Sequence, residues 1–290
     1  MASQNADIPS LETPQASLEQ FHREAKWDSV GTGRYALRYF RWGSGPPLIF
    51  IHGVSDVGKS FVFLASQLCQ SFQCIGYNLP LGNEDGARLG SYRHEHLVHD
   101  LIALMDHLQL DEATVLGSSF GSTVALKALK NHPNRIKRGI LQGGLAHRPL
   151  RAMERFACRV LRYMPGPTAR LPRREKILTA VHRPPFAGRS EEYWKAFVEF
   201  TGESRLSAMG YQGGWLHQVD LRPDLAHIHQ PVLLIAGDRD SVVPYYHAEM
   251  LKAGLPRSEL AVIRGAGHVP LYTHPGEMAQ AIRTFLGSPA

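Results

Sequence analysis

A short turn of small residues, set between an apolar run and a helical segment, constrains this chain more than any other feature. Ala113-Thr114-Val115-Leu116 reads as a buried strand and Phe120 to Lys130 as a helix, with Gly117-Ser118-Ser119-Phe120-Gly121 joining them. No residues are spare at the joint, so strand must become helix within one tight turn. Glycines two before and two after Ser119 remove the side chains that would collide in such a turn. Ser119 is then exposed at the tip, where the helix it opens directs free N–H groups outward. A plain Gly/Ser-rich connection is the alternative for this motif taken by itself.

Two further segments share the same design. Pro231 to Ala236 is an apolar run followed by Gly237-Asp238-Arg239-Asp240. Ala261-Val262-Ile263 is another, followed by Arg264-Gly265-Ala266-Gly267-His268. Each places its polar candidate just past the carboxyl end of a strand, where open α/β sheets bind ligands. A serine hydroxyl is a weak nucleophile near neutral pH and needs a base that a third group orients. Ser119, an aspartate and His268 supply those types in that chain order. Asp238 competes with Asp240 for the acid.

The remaining patterns fit an α/β fold. Tyr35–Trp42, Leu48–Ile51, Phe72–Tyr77 and Ile136–Leu141 read as strands. His94–Leu110, Tyr246–Leu251 and Met278–Leu286 carry apolar residues at helical spacing. Alternating strands and helices predict a mostly parallel central sheet with helices on both faces. From residue 146 to residue 222 strand-like runs vanish, prolines cluster and helical fragments take over. Residues 1–30, polar and without a long apolar stretch, read as a loose arm, ordered only where it lies on the core, and Ser10, Pro14, Gln15 and Ser17 mark it so.

With four ordered elements in place, the chain resembles the α/β-hydrolase family, in its lid-bearing, esterase-like branch. The fourth element is Leu48-Ile49-Phe50-Ile51-His52-Gly53-Val54-Ser55, a strand ending in His-Gly. The resemblance implies a core of residues 31–145 and 223–290, with 146–222 inserted as a helical lid. It implies Ser119, His268 and Asp240 as the catalytic residues, Asp240 by its place fourth from Gly237. It implies the Val54 and Phe120 N–H groups as the oxyanion hole. His52, Ser55, Trp215 and Val269 are expected to line the substrate pocket. Relatives often carry an aspartate where this chain has Asn78, which leaves that position's role open. The implied reaction is hydrolysis of a carboxylic ester, or of a thioester, lactone or carbon–carbon bond by the same acyl chemistry, with no cofactor and no metal. A binding protein on the same fold with little turnover is the alternative.

Gly53-Val54-Ser55-Asp56-Val57-Gly58-Lys59-Ser60 also satisfies the phosphate-loop pattern G-x-x-x-x-G-K-[ST]. Asp56 would place a negative charge inside a loop meant for phosphates. No second acidic segment suits a metal, and the nucleotide reading leaves Ser119 and His268 without a role. Gly58-Lys59-Ser60 is therefore read as the start of a helix, with Lys59 on its solvated side. His94, His96, His99 and Asp100 read as the wet face of a helix rather than a metal site.

The three cysteines, Cys69, Cys74 and Cys158, are odd in number and lack metal spacing, which suits reduced thiols and a cytoplasmic setting. Charge is uneven. Residues 148–189 hold eleven Arg and Lys against only Glu154 and Glu175, so this span is +9 in a chain of net +6. A solvated helix face is the plain reading. The functional one is attraction of an anionic small-molecule acyl substrate, or weak contact with an anionic membrane surface. No basic-aromatic fold for nucleic acid is recognisable, so none is expected as a partner.

Overall fold

The structure is a computed structural model and describes residues 13–287. The chain runs through α1 (Pro14–Glu24), β1 (Lys26–Gly31), β2 (Ala36–Trp42), β3 (Pro47–Ile51), α2 (Val62–Leu68), β4 (Gln73–Tyr77) and α3 (His94–His107). It continues through β5 (Ala113–Ser118), α4 (Phe120–Asn131), β6 (Ile136–Gln142), α5 (Ala152–Leu161), α6 (Arg174–His182), α7 (Glu191–Glu203) and α8 (Leu206–Gln218). It closes with β7 (Val232–Gly237), α9 (Tyr246–Gly254), β8 (Ser258–Ile263), α10 (Pro270–Thr273) and α11 (Pro275–Leu286).

Eight strands form one sheet in the order β1-β2-β4-β3-β5-β6-β7-β8. From β4 across to β8 every pairing is parallel, while β1 and β2 add an antiparallel edge. Parallel strands need crossovers, and the helices supplying them cover both faces and make the strands nearly continuous apolar runs. All six residues of β7 are buried accordingly. Two apolar clusters result, one on each face of the sheet. One gathers Leu97, Leu101 and Leu104 of α3 with Val124 and Leu129 of α4. The other gathers Phe61, Leu64 and Leu68 with Met278 and Ile282 of α11. Between β6 and β7 the chain leaves the sheet for the four helices α5 to α8.

Three expectations are corrected. Within residues 1–30, the part from Thr13 onward is not a loose arm. Thr13 caps α1 by accepting from the Ala16 N–H, and β1 pairs with β2 along its whole length. Ser10 lies outside the described residues. Nor is the face of α3 that bears His94 and Asp100 wet. Both side chains are buried, Asp100 against the Arg34 guanidinium at 2.6 Å and His94 against the Thr123 hydroxyl at 2.8 Å. Lys59 does not point to solvent either. Its ammonium lies over the Phe200 ring and pairs with Glu203, joining the residues before α2 to α7. No three His, Cys, Asp or Glu side chains form a metal cluster among the described residues. No helix there is long and apolar enough to cross a membrane.

Candidate active site

Backbone geometry at the β5–α4 joint follows from its small residues. Ser119 holds φ 51° and ψ −118°, a conformation that costs a non-glycine residue roughly 1–3 kcal/mol. Packing enforces it. A Cβ at Gly121 would stand 2.1 Å from the Ile51 carbonyl oxygen, and one at Gly117 would stand 2.4 Å from the Gly121 carbonyl oxygen. Strand β3, strand β5 and helix α4 therefore meet backbone to backbone, and only glycine fits either place. The Ser119 N–H donates to the Gln142 carbonyl, which anchors the strained turn to the end of β6.

The loop after β8 brings His268 to the same sheet edge, and the loop after β7 brings Asp240. His268 Nδ1 lies 2.8 Å from Asp240 Oδ2, and the two side chains retain only 9% and 3% of their exposure. The second carboxylate oxygen of Asp240 accepts the Val242 and Val243 N–H groups at 2.9 and 2.8 Å. Asp238 does different work. Its Oδ1 accepts the Gly265 N–H at 2.7 Å and ties the two loops together away from the imidazole. Gly143, at φ +52°, forms the floor of the pair, since a Cβ there would lie 3.1 Å from His268 Cε1 and 3.5 Å from Asp240 Oδ2. Residues 142 and 143 thus touch both the serine turn and the histidine.

The loop after β3 completes the cleft. Gly53 passes so close to Ser119 that a Cβ on it would be 3.2 Å from the serine Cβ. Among the described residues, neither the Val54 nor the Phe120 N–H donates to another protein group. Phe120 opens α4, so its N–H is one of the helix's uncommitted donors. Ser55 is half-buried at φ 61°, and its N–H donates at 3.3 Å to the Gln212 side chain of α8, so the insertion braces this loop. His52 has another place than the pocket lining expected of it. Its ring is fully buried, Nδ1 contacts the Gly53 carbonyl and Nε2 accepts the Leu79 N–H. Burial holds its pKa down at about 4, which keeps Nε2 free to accept. Trp215 is buried among Tyr92, Tyr211 and Phe120, with its centroid 6.5 Å from that of Phe120. Val269 is buried beside His268. Asn78, whose role the sequence left open, accepts the Gly58 N–H through Oδ1 at 2.8 Å.

Two polar residues near the site, Gln142 and His182, escaped the sequence reading, and a third, Asp56, was weighed there only against the phosphate-loop pattern. Gln142, fully buried, accepts the Ser118 hydroxyl at 2.6 Å and donates to the His268 carbonyl at 2.9 Å. His182, at the end of α6, sets its ring centroid 6.3 Å from that of His268 and 5.1 Å from that of Phe197. Burial, aided by His268, lowers its pKa to about 4. Asp56 takes the Ser60 hydroxyl and the Val57 N–H, and burial raises its pKa to about 6. Neither Gln142 nor His182 carries a local motif, because each gains its meaning from distant partners.

Comparison with known proteins now decides the family. The family model for the alpha/beta hydrolase fold matches residues 46–275. The chain belongs to the α/β-hydrolase family. It is similar to the AB hydrolase superfamily protein YisY of Bacillus subtilis, 25% identical over 264 residues, covering 85% of this chain and 93% of that protein. It is similar to a pimeloyl-[acyl-carrier protein] methyl ester esterase of Aeromonas hydrophila, 25% identical over 272 residues, covering 85% and 98%. Among solved structures it is similar to a thermophilic esterase from Thermogutta terrifontis, with TM-score 0.79, 21% identity and coverage of 90% and 98%. In this α/β-hydrolase, Gln142 ties the end of β5 to the loop that carries His268. Gln142→Leu should lower stability by about 1–3 kcal/mol, because the buried Ser118 hydroxyl and His268 carbonyl lose their partner. It should also lower kcat more than it raises KM; urea unfolding together with ester kinetics checks both.

Proposed function

We propose that this α/β-hydrolase is a serine hydrolase that cleaves a carboxylic ester or related acyl bond through an acyl-enzyme. The observation that carries the reading is the buried 2.8 Å contact of His268 Nδ1 with Asp240, behind a serine held in a strained turn. With Nδ1–H donated to the carboxylate, His268 presents Nε2 as the base. Ser119 Oγ gives its proton to Nε2 and attacks the acyl carbon. The Val54 and Phe120 N–H groups receive the developing oxyanion, and losing one such donor typically costs about 10²–10³ in turnover. The imidazolium then protonates the leaving alcohol. Water, deprotonated by the same imidazole, releases the acid and restores Ser119. Helices α5 to α8 act as a lid in this reading, with Gln212 steadying the oxyanion loop and His182 walling the histidine side. The likeness to a methyl ester esterase supports an ester as substrate. The basic insertion favours an acyl group or leaving group of negative charge.

A fluorophosphonate probe tests the nucleophile directly. Wild-type protein should become covalently labelled, and Ser119→Ala protein should not. Absence of labelling in folded wild-type protein would favour a binding role on this fold instead.

A further inference from the structure

Helix α5 has the wrong side out. Amphipathic helices of globular proteins turn their apolar stripe to the core. In α5 the stripe is Met153, Phe156 and Val160, continued by Tyr163, at spacings of three and four residues. These side chains are 76%, 64%, 44% and 83% exposed, and no residue of the helix is buried. The other side of α5 meets α8 through glycines. A Cβ at Gly213 would lie 2.4 Å from Cys158 Sγ, and one at Gly210 would lie 2.6 Å from the Cys158 carbonyl oxygen. The helix is therefore fixed in its rotation by backbone contact, and the outward stripe is not free to roll inward.

Charge says what would cover it. Arg155 and Arg159 are exposed on the same helix and Arg151 is exposed just before it, and none of the three forms an ion pair among the described residues. The one acid of α5, Glu154, is taken by Arg148 and by the Arg151 N–H. We propose that this face of α5 docks on an anionic lipid surface. Large apolar side chains protruding beside unpaired arginines form the pattern of a helix lying in a membrane interface, apolar face in the acyl boundary and guanidinium groups at the phosphates. A second copy fits poorly, because a two-fold contact would set this basic patch against itself. A rigid protein partner is less suited than a fluid surface, since the stripe is a ridge standing proud of the helix rather than a groove shaped to receive a side chain.

Co-sedimentation of the full chain with vesicles tests the proposal. The protein should pellet with phosphatidylcholine vesicles containing phosphatidylglycerol and stay in solution with phosphatidylcholine alone. Added salt should weaken the binding. Met153→Ser/Phe156→Ser/Tyr163→Ser and, separately, Arg155→Gln/Arg159→Gln should each reduce partitioning on the order of tenfold. Both variants should keep wild-type circular dichroism and wild-type turnover of an uncharged, water-soluble ester, on which the charge of the insertion has no hold. Failure to bind anionic vesicles at low salt overturns the proposal. So does binding that the apolar triple variant leaves unchanged, which would mean unspecific charge attraction. A concentration-dependent dimer that the triple variant abolishes would assign the face to a second copy, or a complex with an acidic protein to that partner, and either would overturn the lipid reading.

Discussion

Ser119→Ala should abolish ester hydrolysis, with turnover falling roughly 10⁶-fold by comparison with other serine triads. The size follows from chemistry. Without Oγ no acyl-enzyme forms, and the remaining groups can only polarise a carbonyl toward bulk water. The fold should survive the change, because the contacts that hold residue 119 in its turn are made by its main chain and by the flanking glycines. Steady-state kinetics with an aryl ester, beside thermal unfolding, checks both statements. Turnover above about a thousandth of wild type would remove Ser119 from its role.

Asp240→Asn should come next, lowering kcat by about 10⁴ with little change in fold. The direction is set by hydrogen bonds already in place. One carboxylate oxygen accepts two main-chain N–H groups, from Val242 and Val243. An asparagine must keep its carbonyl oxygen there, which turns its NH₂ toward His268 Nδ1. The imidazole then has to accept at Nδ1 and carry its proton on Nε2, where it cannot act as a base. Kinetics with the same ester, over a pH series, measures the loss. A variant within tenfold of wild type would shift the acid role to another residue, and Asp238 would be the first to examine.

The interior strands were legible because a parallel sheet buried on both faces leaves apolar runs with few interruptions. Leu48–Ile51, Val232–Ala236 and Ala113–Leu116 are of this kind. Strand β1 was not legible, since an edge strand that buries none of its six residues gives no alternation to detect. His94 and Asp100 were misplaced for a related reason. A charged residue reads as solvated unless its partner is known, and Arg34 lies 66 residues from Asp100. At the site, the residue types and their chain order stood in the sequence, each fixed to the end of an apolar run. What surrounds them did not. Gln142 is one glutamine at a strand end, and only the convergence of three loops gives it Ser118 on one side and His268 on the other.

The N-terminal helix and strand carry a practical consequence. Phe21 of α1 lies 5.0 Å from Phe40 and 5.5 Å from Trp42, ring to ring, and Trp27 of β1 packs edge-on to Phe40. A version trimmed at residue 31, on the assumption that the beginning of the chain is dispensable, would strip β2 of its partner on the outer edge of the sheet. It would bare a row of unpaired amides beside uncovered aromatic rings, the surface on which chains stick to one another. Such a shortened protein should aggregate more readily than the full chain, which light scattering of the two side by side checks.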